Sequence, residues 1–199
     1  MNIETLAAIE AVGSRLEKER LLATVDVETV KMMKWALDPM ITFGVTFDQD
    51  EQLGHWNASK HSSQRGLLHE STFWLEVDEL CVMLSRRHLT GNAALCRIVD
   101  LVTAAPTEQH VLWMGRILNK DLRCGVQVST LNNVFPGTIE KEIPCSLAKA
   151  YDPNKHELLG SWCVEPKLDG LRMVVVNGKA YTRNGRSIDT VQHIIDELM

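Results

Sequence analysis

Apolar residues recur at helical spacing along most of the chain and switch to an alternating, strand-like pattern only near its end. Ile3, Leu6, Ala7, Ile9 and Val12 form a stripe that predicts a helix over 3–12, ended by Gly13-Ser14. Leu16, Leu21 and Leu22 give a second, more charged helix over 14–24 its buried side. Asp26 suits the cap of a third helix, 27–37, which carries Val30, Met33, Trp35 and Leu37. Asp38-Pro39 stops it, because the residue before proline is kept out of helical backbone. From 39 to 71 no period persists; Gly44, Gly54 and Gly66 break the stretch, which reads as a solvated connector or a set of short pieces.

Periodicity returns with a strong helix. Ser71 or Thr72 is its expected cap, with Phe73, Leu75, Val77, Leu80, Val82, Met83 and Leu84 on its core side. Arg86-Arg87-His88 close it, where cations favour the negative end of the helix dipole. Leu89-Thr90-Gly91-Asn92 opens the next helix, to about Thr103, and Thr107 caps another over 108–119. Residues 119–125 read as a turn, and a short helix over 129–135 is broken by Pro136-Gly137.

The character changes after Pro144. Ile143-Pro144-Cys145-Ser146-Leu147-Ala148 looks extended, and Asp152-Pro153-Asn154-Lys155 is turn chemistry. A boundary near 147 then divides a helical domain, 1–147, from a strand-and-hairpin segment, 148–199. Asn177-Gly178 between two apolar runs predicts a two-residue type I′ hairpin, since that turn needs positive φ at both positions. The register follows: Val176 pairs with Lys179, Val175 with Ala180, Val174 with Tyr181, Met173 with Thr182, and Arg172 with Arg183. A last helix over 189–199 would place Val191, Ile194, Ile195 and Leu198 on one face.

Like charges directly opposite in a sheet repel. Arg172 and Arg183, with Lys167 just before them, therefore form a patch that calls for an anion, and a polyphosphate suits it. A solvated hairpin edge with gatekeeper charges is the plainer alternative. Composition narrows the choices. The chain of 199 residues is 45% hydrophobic and 24% charged, an ordinary globular balance. The five cysteines are odd in number and never spaced Cys-x-x-Cys, which argues for reduced thiols in a cytoplasmic setting. The histidines have no metal-ligand spacing. No Gly-x-x-x-x-Gly-Lys-Ser/Thr occurs, so ATP chemistry here would not be of the P-loop kind. Net charge is −5, but residues 86–125 hold 6 Lys and Arg against 3 Asp and Glu, whereas residues 1–85 hold 7 against 14. Positive charge is concentrated in the middle. There, Thr90, Gly91, Asn92, Lys120 and Arg123 have the small polar and basic character that positions a protein on a nucleic-acid backbone.

Glu165-Pro166-Lys167-Leu168-Asp169-Gly170, followed by Arg172 and by Thr182-Arg183-Asn184-Gly185, resembles the nucleotidyl-transfer signature of ATP-dependent DNA ligases, RNA ligases and mRNA capping enzymes. Three further motifs narrow it: Ile9-Glu10-Ala11-Val12-Gly13-Ser14, Leu89-Thr90-Gly91-Asn92-Ala93-Ala94, and Asp121-Leu122-Arg123-Cys124-Gly125 with Pro136-Gly137 behind. These resemble the N-terminal helical DNA-binding domain of ATP-dependent DNA ligases of T-even-type bacteriophages. The resemblance implies an α+β chain: an all-α DNA-binding domain, then the beginning of a mixed β/α nucleotidyltransferase domain. It also implies that Lys167 is the catalytic, adenylylated nucleophile and that Glu165, Arg172 and Arg183 bind the nucleotide. Thr90, Gly91, Asn92, Lys120 and Arg123 would contact DNA. ATP and Mg2+ are the implied cofactors, the metal held mainly through the nucleotide phosphates with no dedicated protein site. Nicked duplex DNA is the implied partner, in replication, repair and recombination, for an otherwise monomeric protein in the cytoplasm, the host's if phage-encoded.

The chain departs from that family's pattern after Lys167. No second Asp-Gly followed by Glu occurs, and the family's paired lysines and OB-fold domain have no counterpart. The expectation is a truncated ligase, one half of a split enzyme needing a second chain, or a remnant, which binds nicked DNA but alone adenylylates itself poorly or not at all. A non-catalytic DNA-binding module with a vestigial motif is the alternative from another class, and an RNA-end ligase a third.

Overall fold

The computed structural model describes residues 1–60, 66–140, 170, 172–182 and 187–198. The chain divides into two compact units, Met1–Glu140 and Lys141–Met199. It is mostly helical with a small two-stranded sheet. The joint expected near 147, with the turn at 152–155, lies outside the described residues.

The first unit consists of α1 (Ile3–Ala11), α2 (Arg15–Leu22), α3 (Val27–Leu37), α4 (Gln49–Ser59), α5 (Glu70–Ser85), α6 (Gly91–Ala104), α7 (Glu108–Leu118) and α8 (Val128–Val134). Asp26 caps α3 as expected, its carboxylate accepting the Thr29 N–H at 2.6 Å. α7 lies at the centre, against α1, α3 and α4, while α6 packs on α4 and α5, and α2 on α1 and α8. Phe73, Trp74 and Trp113 are the largest fully buried side chains, and one continuous apolar cluster runs from Leu6 to Ile139. Burying such side chains contributes roughly 1.5–3 kcal/mol each, which makes these helices stable where isolated ones would be marginal.

Four expectations change. α4 occupies part of the stretch read as irregular. Its apolar stripe is only Leu53 and Trp56; Asp48 starts it by accepting the N–H groups of Asp50 and Glu51, and the Trp56 Nε1 anchors it on the Ala105 carbonyl at 3.2 Å. α5 begins at Glu70, with His69 rather than Ser71 or Thr72 as its cap: the His69 Nδ1 accepts the Ser71 N–H. Leu75 and Leu16, both assigned to buried faces, are 67% and 70% exposed. At Thr107 the residue sits at the cap position, but its hydroxyl bonds the His110 Nδ1 at 2.8 Å and not the backbone.

In the second unit, β1 (Met173–Val176) and β2 (Lys179–Thr182) form an antiparallel hairpin with Met173 opposite Thr182, Val174 opposite Tyr181, Val175 opposite Ala180 and Val176 opposite Lys179. Asn177 and Gly178 have φ of 51° and 71°, the left-handed pair that a type I′ turn requires. A 3-10 turn, Asp189–Val191, leads into α9 (Gln192–Leu198). Ile195 of α9 and Ala180 of β2 are buried, whereas Ile194, expected on the same face, is 39% exposed.

Candidate functional site

The turn after α7 is the most heavily tethered loop of the first unit. Three residues of Asn119–Gly125 have left-handed backbone, Lys120, Arg123 and Gly125 with φ of 59°, 54° and 70°. For non-glycine residues that conformation costs about 1–3 kcal/mol and persists only where surrounding contacts over-determine it. Those contacts come from four directions. Asn119 exchanges two hydrogen bonds with the Phe47 backbone, accepting at 3.0 Å and donating at 2.8 Å. The Lys120 ammonium donates to the carbonyls of Asp38 (2.8 Å) and Trp35 (3.0 Å), closing the end of α3. The Lys18 ammonium of α2 donates to the Cys124 carbonyl at 2.6 Å. Gly125 takes the left-handed φ without strain, and a Cβ there would lie 2.5 Å from that ammonium, so the lysine end would have to shift and loosen its bond to Cys124.

Arg116, unremarked in the sequence reading, supplies the fourth tether. It makes a forked ion pair with Glu10 of α1 at 2.6 and 3.1 Å, reaches the Leu122 carbonyl at 3.4 Å, and lies over the Trp113 ring at 4.4 Å. Its position on a helix gave no signal beyond being one cation on a mostly apolar face. Arg123 is 65% exposed; its backbone N–H donates to the Asp121 carboxylate at 3.1 Å, and its guanidinium Nε lies 3.6 Å from the same carboxylate, an exposed ion pair that a phosphate would have to compete with.

Thr90, Gly91 and Asn92 stand at the start of α6 and are exposed. Thr90 makes no side-chain cap bond, and Gly91 combines φ of +56° with open space where a Cβ would be. Backbone amides there can be approached closely, the property that suits helix starts to anions. Lys120 is different in kind from these residues. Its amine is turned to backbone carbonyls inside the fold, so its part is to shape the loop that carries Arg123.

At the other end of the chain, Lys167, Glu165 and Arg183 lie outside the described residues. Arg172 is described: it is exposed and leads directly into β1, where the hairpin register is the one read from the sequence.

Sequence reasoning did not foresee a polar cavity of about 620 Å3 where the starts of α1, α3, α5 and α7 meet. Trp74 and His110 line it, stacked at 5.5 Å, and the buried Trp74 Nε1 and His110 Nε2 have no hydrogen-bond partner. Burial pushes the His110 pKa down, opposed by Glu70, whose carboxylate oxygen is 3.8 Å away. Glu4, Asp26, Glu28 and Glu70 ring the opening, an arrangement that offsets the dipoles of α1, α3 and α5 and repels an anion. Among the described residues no group of three or more His, Cys, Asp or Glu side chains converges to hold a metal ion, and no helix is long and apolar enough to cross a membrane.

The described residues thus combine a helical unit carrying the tethered Asn119–Gly125 loop with a separate hairpin unit. No protein-family model matches the chain. It is 39% identical over 69 residues to the DNA ligase of Enterobacteria phage T4, and equally to that of phage T6; the match covers 35% of this chain and 14% of each ligase. Two solved structures, Pmar-Lig_PreS3 and Pmar-Lig_Pre, superpose with TM-scores of 0.68 and 0.69 at 27% and 29% identity. Each superposition covers 98% of this chain and 45% of the solved one. The chain thus spans less than half the length of the structures it matches, and its likeness to the phage DNA ligases lies within the 69 matched residues.

Proposed function

We propose that residues 1–140 hold duplex DNA at a nick, and that Lys167 carries the adenylyl group with which an ATP-dependent ligase seals it. The observation that carries this reading is the basic loop Asn119–Gly125, fixed by four tethers and presenting Arg123, within a chain similar to phage-type DNA ligases. Thr90, Gly91 and Asn92 would supply a second backbone contact through exposed amides and small polar groups. Such contacts set register on a duplex without reading its sequence, which is what an enzyme acting at any nick requires.

For the chemistry, the neutral amine of Lys167 would attack the α-phosphorus of ATP, forming an N–P bond as pyrophosphate leaves. Arg172 and Arg183 would favour the neutral amine by repelling its charged form, and would offset the charge of the phosphates. Glu165 would recognise the base. The adenylyl group would pass to the 5′-phosphate, and the 3′-hydroxyl would displace AMP. A divalent ion such as Mg2+ would neutralise phosphate charge in these steps. Complete sealing would draw on the carboxylates and paired lysines of the ligase pattern that are missing after Lys167, carried on further residues or on a second chain.

Mass spectrometry after incubation with ATP and Mg2+ tests the nucleophile. The expected result is slow, partial AMP attachment that vanishes in Lys167→Ala. Attachment at another lysine would overturn the assignment, and rapid complete labelling would overturn the view that the nucleotide site draws on residues beyond these.

A further inference from the structure

A notch of about 400 Å3 opens beside the tethered loop, lined by Gly13, Arg15, Lys18, Gly125, Gln127 and Ser129 among others. Among the described residues no carboxylate lines it, although α2 itself holds two glutamates and the first 85 residues are acidic. The notch is built, not incidental. Glu19 accepts the Arg15 Nε–H at 3.0 Å and the Asn133 amide at 3.1 Å, so it ties α2 to α8 and fixes the guanidinium by its inner nitrogen. The terminal nitrogens of Arg15 are left to serve as a fork, with the side chain 62% exposed. One turn further along the same helix, the Lys18 ammonium is pinned to the Cys124 carbonyl and retains further N–H groups to donate. Glycines at 13 and 125 keep the walls free of side chains, and Ser129 adds an exposed hydroxyl.

We infer that this notch seats one phosphate of the DNA backbone, gripped by the Arg15 fork, the Lys18 charge and the Ser129 hydroxyl. The inference rests on the DNA-binding reading above and extends it to a contact on α2, whose neighbourhood by sequence is the acidic part of the chain. Guanidinium and ammonium together suit the oxygen pair of an anion such as a phosphodiester and disfavour a cationic or neutral ligand. Because Lys18 also holds the loop, one phosphate in the notch would be rigidly spaced from whatever Arg123 contacts.

The test is fluorescence anisotropy of a nicked duplex titrated with the chain over a range of KCl, for wild type, Arg15→Gln and Ser129→Glu. Both positions are exposed, so folding is retained, and thermal melting checks it. Arg15→Gln should weaken binding roughly tenfold or more, the worth of one charge-assisted contact, and make the slope of log affinity against log salt shallower by about 0.9. Ser129→Glu should weaken it at least as much by placing a carboxylate beside the phosphate. Tight, salt-sensitive binding that neither substitution alters would overturn the notch while leaving DNA binding intact. A wild-type chain that does not bind DNA would remove both readings together.

Discussion

The ammonium of Lys120 lies 2.8 Å from the carbonyl oxygen of Asp38, across 82 residues of chain, and so joins the turn after α7 to the end of α3. The last carbonyls of a helix have no partner within it, and here a lysine from another element supplies one. Lys120→Met removes both carbonyl bonds while keeping the aliphatic stem. It should lower stability by about 1–3 kcal/mol without a change in the number of phosphates bound. Chemical denaturation and the salt slope of DNA binding, measured on the same variant, separate the two effects. A stable variant with a shallower slope would make Lys120 a direct DNA contact.

Gly115 sits in the interior of α7, where alanine would ordinarily gain about 1 kcal/mol. A Cβ at this position would lie 2.6 Å from the ring of Phe47. That ring is buried and its backbone is held by Asn119 on both sides, so it cannot swing away. Overpacking should win, and Gly115→Ala should lose roughly 1–3 kcal/mol. A gain in melting temperature would show that Phe47 moves freely.

His110 gives a pH signature. Its folded pKa is depressed below the ordinary value of 6.5, chiefly by burial, with Glu70 pulling the other way. Above that value both folded and unfolded states carry the ring neutral, and it contributes nothing. As pH falls through it, the unfolded state takes up the proton first, so stability declines on acidification. Melting temperatures measured from about pH 7.5 down to about pH 5.5 should fall more steeply for wild type than for His110→Gln. A wild-type protein that gained stability toward low pH would mean that protonated His110 pairs with Glu70.

Among the described cysteines, Cys96 is exposed while Cys81 and Cys124 are buried. Burial pushes the thiol pKa of both buried residues up, that of Cys81 far up, where Asp78 adds to the effect. Only thiolates alkylate readily. Peptide mapping after brief iodoacetamide treatment should find Cys96 modified and the other two untouched until denaturant is added. Early modification of Cys81 would reveal local opening of α5.

Local signals carried the reading where a local cause fixes the structure. Asn177-Gly178 determined the four described pairs of the hairpin because positive φ at two adjacent positions leaves one register, while Arg183, the partner expected for Arg172, lies outside the described residues. Asp26 and α3 were legible for the same reason, a cap beside a periodic stripe. α4 was not, because one turn of Leu53 and Trp56 is no stripe, and the helix depends on a bond to Ala105 nearly fifty residues away. The candidate site followed the same division. Polarity marked Arg123 and Lys120 alike as turn residues, and only the long-range contacts of Lys120 to Trp35 and Asp38 turn it inward, while Arg123 pairs locally with Asp121. The roles of Arg15, Lys18 and Arg116 depend on partners in other elements. For Lys167, Glu165 and Arg183 the reading rests on motif and likeness, since they lie outside the described residues.

The measurement closest to the central claim is the affinity of the purified chain for a nicked duplex as salt is raised. A chain that holds the duplex through Arg123, the α6 start and the α2 notch should bind with log affinity falling linearly against log salt, at a slope of about −2 to −4 for a few displaced counterions. Absence of binding at low salt, or an affinity indifferent to salt, would contradict it.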